Sequence, residues 1–141
     1  VLDQARIDGI LEATRGLPIV ETLAMRFDEF DEGLCRMTMP YERRFDGVYE
    51  SFHGGLLMTA ADSAACFAIW TQTGAKEVLT TTDMNIRFLA PCLSDVTTVA
   101  RVIKLGSTLC PVAVEQFDQK GTRVAVSQVS YIRLKRMPRR R

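Results

Sequence analysis

Between Gly54 and Trp70 the chain runs through seventeen residues whose only polar side chains are Thr59, Asp62 and Ser63. Alanine, glycine and leucine dominate the rest. A segment this apolar is a membrane span, a buried strand or a buried helix. Its alanine content argues against a strand. A charge near its midpoint argues against a membrane span, where a lone Asp costs roughly 2.5–3.5 kcal/mol. The remaining reading is a helix that is apolar all round, and such a helix must be enclosed by other parts of the fold.

The sequence on either side supplies that enclosure. After Gly74, four runs rich in Val, Ile, Thr and Phe read as strands: Val78–Leu89, Val96–Leu105, Leu109–Asp118 and Thr122–Leu134. Turn residues separate them at Ala90-Pro91, Gly106-Ser107 and Asp118–Gly121. Pro111, inside the third run, predicts an edge position or a bulge. Before the helix, Thr22–Phe30 and Gly33–Tyr41 read as a hairpin turning at Asp31-Glu32-Gly33. Pro40 to Phe52 lacks a period and reads as a loop. Apolar residues Leu2, Ile7, Ile10, Leu11 and Ala13 predict a short N-terminal helix that Gly16 and Pro18 end. The fold class is therefore α+β, an antiparallel sheet wrapped around one long central helix.

Length and charge bound the rest. The chain of 141 residues fits one domain, taken as residues 1–135, followed by a basic tail at 136–141. Six of the last nine residues are Lys or Arg (Arg133, Lys135, Arg136, Arg139, Arg140 and Arg141), and without them the net charge of +1 becomes −5. The body thus offers no nucleic-acid surface, and the tail reads as a solvated end. Cys35, Cys66, Cys92 and Cys110 never form a C-x-x-C pair and His53 is the one histidine, so no metal site is expected. No basic leader with an apolar run opens the sequence. With scattered thiols this predicts a cytoplasmic protein with no membrane partner.

The chemistry concentrates at the start of the long helix. His53-Gly54-Gly55 places backbone N–H groups, clear of side chains, at the positive end of a helix. That suits an oxygen on which negative charge develops, as in attack on a carbonyl. Asp62 follows eight residues after Gly54, about 12 Å along the axis. Its helical neighbours Met58, Thr59, Ala65 and Cys66 are mostly apolar, a setting suited to a general base or nucleophile. It also permits a purely structural carboxylate, paired with an Arg such as Arg87. One helix cannot bring the Gly54 N–H and the Asp62 carboxylate to one carbonyl carbon. If they cooperate, they do so across an obligate dimer interface.

The run His53-Gly54-Gly55-Leu56-Leu57 with Asp62 following resembles the H-G-G-x6-D signature of the PaaI-like acyl-CoA thioesterases of the hotdog superfamily. Thr81–Pro91 resembles that family's T-x-D-x-N-x-x-F-L-x-P strand, and the likeness spans roughly residues 17 to 134. The resemblance implies metal-free hydrolysis of an acyl-CoA, with coenzyme A part of the substrate and no separate cofactor. It implies dimers joined edge to edge, or tetramers of them, with sites between subunits. By position, Gly54 N–H would polarise the thioester carbonyl and Asp62 would activate water or attack directly. Thr81 would help align the water and His53 would order the turn. Gly55, Gly47 and Ser51 would line the substrate path. Many relatives carry Asn where this chain has Gly47, so either Asp46, Glu50 or Ser51 compensates or the activity is weak or altered. A non-catalytic acyl-CoA-binding protein is the alternative, and a dehydratase of the same fold a more distant one. Phe88, Leu89 and Trp70 suggest an apolar acyl pocket.

Overall fold

In a computed structural model, which describes residues 2–137, three helices, one 3-10 turn and six strands share a single core. Helix α1 (Gln4–Thr14) begins where the Asp3 side chain accepts a hydrogen bond from Ala5 N–H at 2.8 Å, a usual N-cap. A second, short helix α2 (Pro18–Thr22) follows. Pro18 therefore opens a helix rather than only closing one, because at the first helical position its missing N–H costs nothing. The first strand starts later than the sequence predicts, with β1 at Arg26–Asp31 and β2 at Leu34–Met39. Gly33, at φ 72°, makes the turn between them.

Helix α3 (Gly54–Thr73) is the predicted long helix, and Leu57, Ala60, Ala61, Ala64, Ala65, Phe67 and Ala68 are buried. Small alanine side chains let the helix lie close to the sheet that covers it. Yet the enclosure is one-sided. Met58, Thr59, Asp62, Ser63 and Cys66 are only half-buried, and their spacing of three and four places them along one stripe. A buried amide pins the opposite side: Gln116 Nε2 donates to Leu57 O at 2.9 Å and to Thr98 Oγ1 at 3.0 Å.

The sheet is antiparallel throughout, in the order β1-β2-β4-β5-β6-β3. The later strands are β3 (Val78–Phe88), β4 (Val96–Val102), β5 (Leu109–Phe117) and β6 (Arg123–Leu134). Strand β3 is thus a long free edge. Pro111 corrects an expectation, for β5 lies between β4 and β6 and its register shift falls at Gln116/Phe117 instead. The proline is tolerated because the β4–β5 ladder has its last pair at Val102↔Val112 and does not extend to Pro111. The carbonyl of Pro111 still accepts from Ile103 N–H at 2.9 Å.

A bulge in β3 sets the site. Thr81 pairs with Tyr131 and Asp83 with Ser130, leaving Thr82 as the extra residue. The extra residue changes the phase of the strand. Partners directly across a ladder share a face, so Thr81, Met84, Ile86 and Phe88 follow Tyr131 and Val129 onto the helix side.

Candidate active site

The start of α3 is built around His53. Its Nδ1 accepts a hydrogen bond from Gly55 N–H at 2.9 Å, and its carbonyl accepts from Leu56 and Leu57. The ring thereby caps the helix. A Cβ at Gly55 would lie 3.0 Å from both Cε1 and Nδ1 of that ring, so any larger residue there would push against the capping ring. The cap also means that the Gly55 N–H is engaged by His53. The Gly54 N–H, by contrast, has no partner among the described residues. It stands at the positive end of a helix of 20 residues.

Gly54 packs closely against strand β3. A Cβ there would meet the Phe88 ring at 3.0 Å. Around this contact runs a groove of about 380 Å³ lined by Ser51, Gly54, Leu57, Phe88, Leu89 and Pro91. Its volume is within the range of small-molecule sites. Phe88 and Leu89 are half-exposed on its rim. Trp70 does not join them. Sixteen residues along α3 from Gly54, or about 24 Å, it packs on Phe67 at 5.6 Å and donates from Nε1 to Glu77 O. The expected grouping of Trp70 with Phe88 and Leu89 is therefore wrong, because the helix holds them at opposite ends.

The loop before α3 borders the groove. Gly47 N–H donates to Ser51 O at 2.8 Å, and Asp46 and Phe52 form an isolated bridge. A Cβ at Gly47 would stand 3.6 Å from His53 Cδ2, an ordinary contact, so glycine is not sterically required. Asp46 takes hydrogen bonds from Tyr41 Oη at 2.8 Å to each carboxylate oxygen. Glu50 holds φ 55°, and Val48 and Tyr49 project into solvent at the tip.

Asp62 forms a second centre. Thr81 Oγ1 donates to Asp62 Oδ1 at 2.5 Å. Tyr131, which sequence reasoning missed, shares its one phenolic hydrogen between the same Oδ1 at 2.8 Å and Asp62 O at 2.7 Å. Asp62 Oδ2 receives no hydrogen bond from the described residues and belongs to the half-buried stripe. Arg87 is no partner, since it is exposed and its guanidinium reaches Ile86 O. Burial chiefly, then the neighbouring Cys66 and Asp62, pushes the Tyr131 phenol well above its ordinary pKa. Burial and then Asp62 push the Cys66 thiol up to about 12. One chain thus carries two separate clusters. Gly54, Ser51 and Phe88 meet at the groove, and Asp62, Thr81 and Tyr131 meet two turns further along α3. Among the described residues no three His, Cys, Asp or Glu side chains cluster as a metal site needs.

The chain is similar to known proteins in sequence and in fold. Residues 49–125, which span the groove, α3, the three strands β3, β4 and β5 and the start of β6, match the model of the thioesterase superfamily. The chain belongs to the thioesterase superfamily. Two Saccharolobus solfataricus proteins that bear the provisional name of esterase are 27% and 28% identical to it. The matches cover 71% and 73% of this chain and 67% and 74% of theirs. In structure it is similar to the PaaI protein of the E. coli phenylacetic acid degradation operon, with a TM-score of 0.87 and 22% identity over 95% of this chain and 96% of that one. A thioesterase family protein of Silicibacter pomeroyi gives 0.84, at 22% identity over 92% and 98%. A Haemophilus influenzae thioesterase gives 0.80, at 22% over 88% and 87%. The six-stranded sheet around one helix is the hotdog fold, as expected. Membership makes the chain a hydrolase of the thioester class. No helix among the described residues is long and apolar enough to cross a membrane.

Proposed function

We propose that this thioesterase-superfamily protein hydrolyses an acyl-CoA to free CoA and a carboxylic acid, at a site completed by two copies of the chain. The observation that carries the reading is the pair of half-sites: an uncommitted Gly54 N–H at one, an open Asp62 Oδ2 at the other. About 12 Å of helix separates them, whereas a base and an oxyanion donor must each approach the reacting group to about 3 Å. Gly54 of one copy facing Asp62 and Thr81 of the other resolves the conflict. The free edge of β3, next to both half-sites, suits edge-to-edge pairing of two copies, and tetramers of such dimers are compatible with it.

In this reading Gly54 N–H binds the carbonyl oxygen as it gains negative charge. Asp62 Oδ2 takes a proton from water as the new C–O bond forms, and returns it to the CoA sulfur as the C–S bond breaks. In the other course Oδ2 attacks the carbonyl carbon itself, and the C–S bond breaks as CoA leaves as the thiolate. Water then hydrolyses the mixed anhydride to the carboxylic acid and free Asp62. Thr81 fixes the carboxylate and orients the water. His53 and Gly55 keep the Gly54 amide in place, while Gly47 and Ser51 border the bound thioester. Phe88 and Leu89 offer apolar surface to the acyl group. Coenzyme A enters as substrate, no separate cofactor takes part, and four free thiols suit a reducing cytoplasm.

The test is thiol release from a panel of aromatic and medium-chain acyl-CoAs by the wild-type protein and by Asp62→Ala. Turnover by the wild type, reduced at least about 100-fold in the variant, supports the reading. Full activity in the variant removes Asp62 from it. Gly47 motivates one other function, a non-catalytic acyl-CoA-binding protein, because the groove lacks a side-chain amide there. Calorimetric binding of acyl-CoA without turnover favours that alternative.

A further inference from the structure

We propose that Tyr131 is a positioning residue for the Asp62 carboxylate, and that its hydroxyl selects Oδ2 as the oxygen that reacts. The proposal rests on the reading of Asp62 as the group that activates water or attacks. Tyr131 Oη lies 2.8 Å from Asp62 Oδ1 and 2.7 Å from Asp62 O. The single phenolic hydrogen is shared between these two acceptors, so it holds the end of the side chain close to the backbone of the same residue. Thr81 adds a second donor to Oδ1 at 2.5 Å. A carboxylate oxygen that already faces two hydroxyl donors, one of them shared with the Asp62 carbonyl, is a poorer site for a further partner than the oxygen that faces none. The reacting oxygen is then Oδ2.

The arrangement suits positioning rather than proton transfer. The ring is 5% exposed and sits among core residues of α3 and β6. Burial holds the phenol protonated far above neutrality, so it stays a donor throughout the working pH range and does not exchange its proton with substrate. Its aim is set by the Thr81↔Tyr131 pair beside the β3 bulge. No sequence motif near Asp62 marks it, because it lies 69 residues away.

The test compares Tyr131→Phe with the wild type on the best acyl-CoA of the panel, with Asp62→Ala and Val129→Ala alongside. Val129 is buried on the same face of β6, so its truncation loosens packing without touching the carboxylate. The expected result for Tyr131→Phe is a kcat lowered at least about tenfold with KM within about twofold. Val129→Ala is expected to lose thermal stability and keep kcat. If Tyr131→Phe retains kcat within about twofold while Asp62→Ala is inactive, the positioning role falls and the role of Asp62 stands. If Val129→Ala loses kcat as severely as Tyr131→Phe, the hydroxyl is structural and the proposal is overturned. Full activity in Asp62→Ala, or no turnover by the wild type, overturns the proposal together with the reading beneath it.

Discussion

Thr81 Oγ1 and Asp62 Oδ1 stand 2.5 Å apart, joining the edge strand β3 to the middle of α3 across 19 residues of sequence. A hydrogen bond to a charged group contributes about 1.5–3 kcal/mol. If Thr81 holds the carboxylate in its reactive orientation, Thr81→Val lowers kcat by about 10–100-fold. Thr81→Ser, which keeps the hydroxyl, retains most of the activity. Steady-state kinetics on one acyl-CoA separate the outcomes, and equal losses in both variants would assign the effect to packing.

Gly47 is the position where side-chain chemistry is missing although space exists. Its φ is not in the left-handed region, and a Cβ would meet nothing closer than 3.6 Å. Gly47→Asn should therefore fold normally and set an amide beside His53 at the edge of the groove. The expected outcome is a kcat/KM raised by up to about tenfold, the amide adding a donor to carbonyl or water. An unchanged or lower value would show that the groove does not need that amide.

The thiols predict the response to alkali. Burial is the main cause holding the Cys35, Cys66, Cys92 and Cys110 thiols above their ordinary pKa, Cys66 at about 12. The folded chain therefore keeps thiol protons that the unfolded chain loses near pH 8.5. Their stabilising contribution is whole below about pH 8.5 and is lost as pH rises through the folded values. Thermal unfolding followed by circular dichroism should show Tm falling from about pH 9 upward. A Tm that rises over that range would contradict the thiol shifts. Labelling of the native protein by a thiol reagent at about pH 8 should be slow, and all four cysteines should react in denaturant.

The helix and the sheet were legible because single segments encode them. An alanine-rich run with one charge can be little else than an enclosed helix, and β6 and β3 announce themselves by β-branched residues. What depended on how segments meet was less legible. Tyr131 reads as one more apolar strand residue until the Thr81↔Tyr131 register and the bulge at Thr82 aim it at Asp62. Pro111 predicts an edge only if its ladder continues past it, and that ladder stops at Val112. Trp70 looks like a partner for Phe88 and Leu89 by its apolar character alone, whereas its sixteen-residue distance from Gly54 puts it at the far end of α3. The one-sided cover of α3 was hidden because Met58 and Cys66 are as apolar as the buried residues beside them.

The division of the site between two copies is tested most directly by subunit complementation. Asp62→Ala keeps Gly54, and Gly54→Val, whose side chain collides with Phe88, keeps Asp62. Each variant alone should be nearly inactive. Unfolded together and refolded, they form mixed dimers in which one of the two sites carries both intact residues. Activity should return to about a quarter of the wild-type value with random pairing. A mixture as inactive as its components would show that Gly54 and Asp62 act within one chain, and the two-copy site would be wrong.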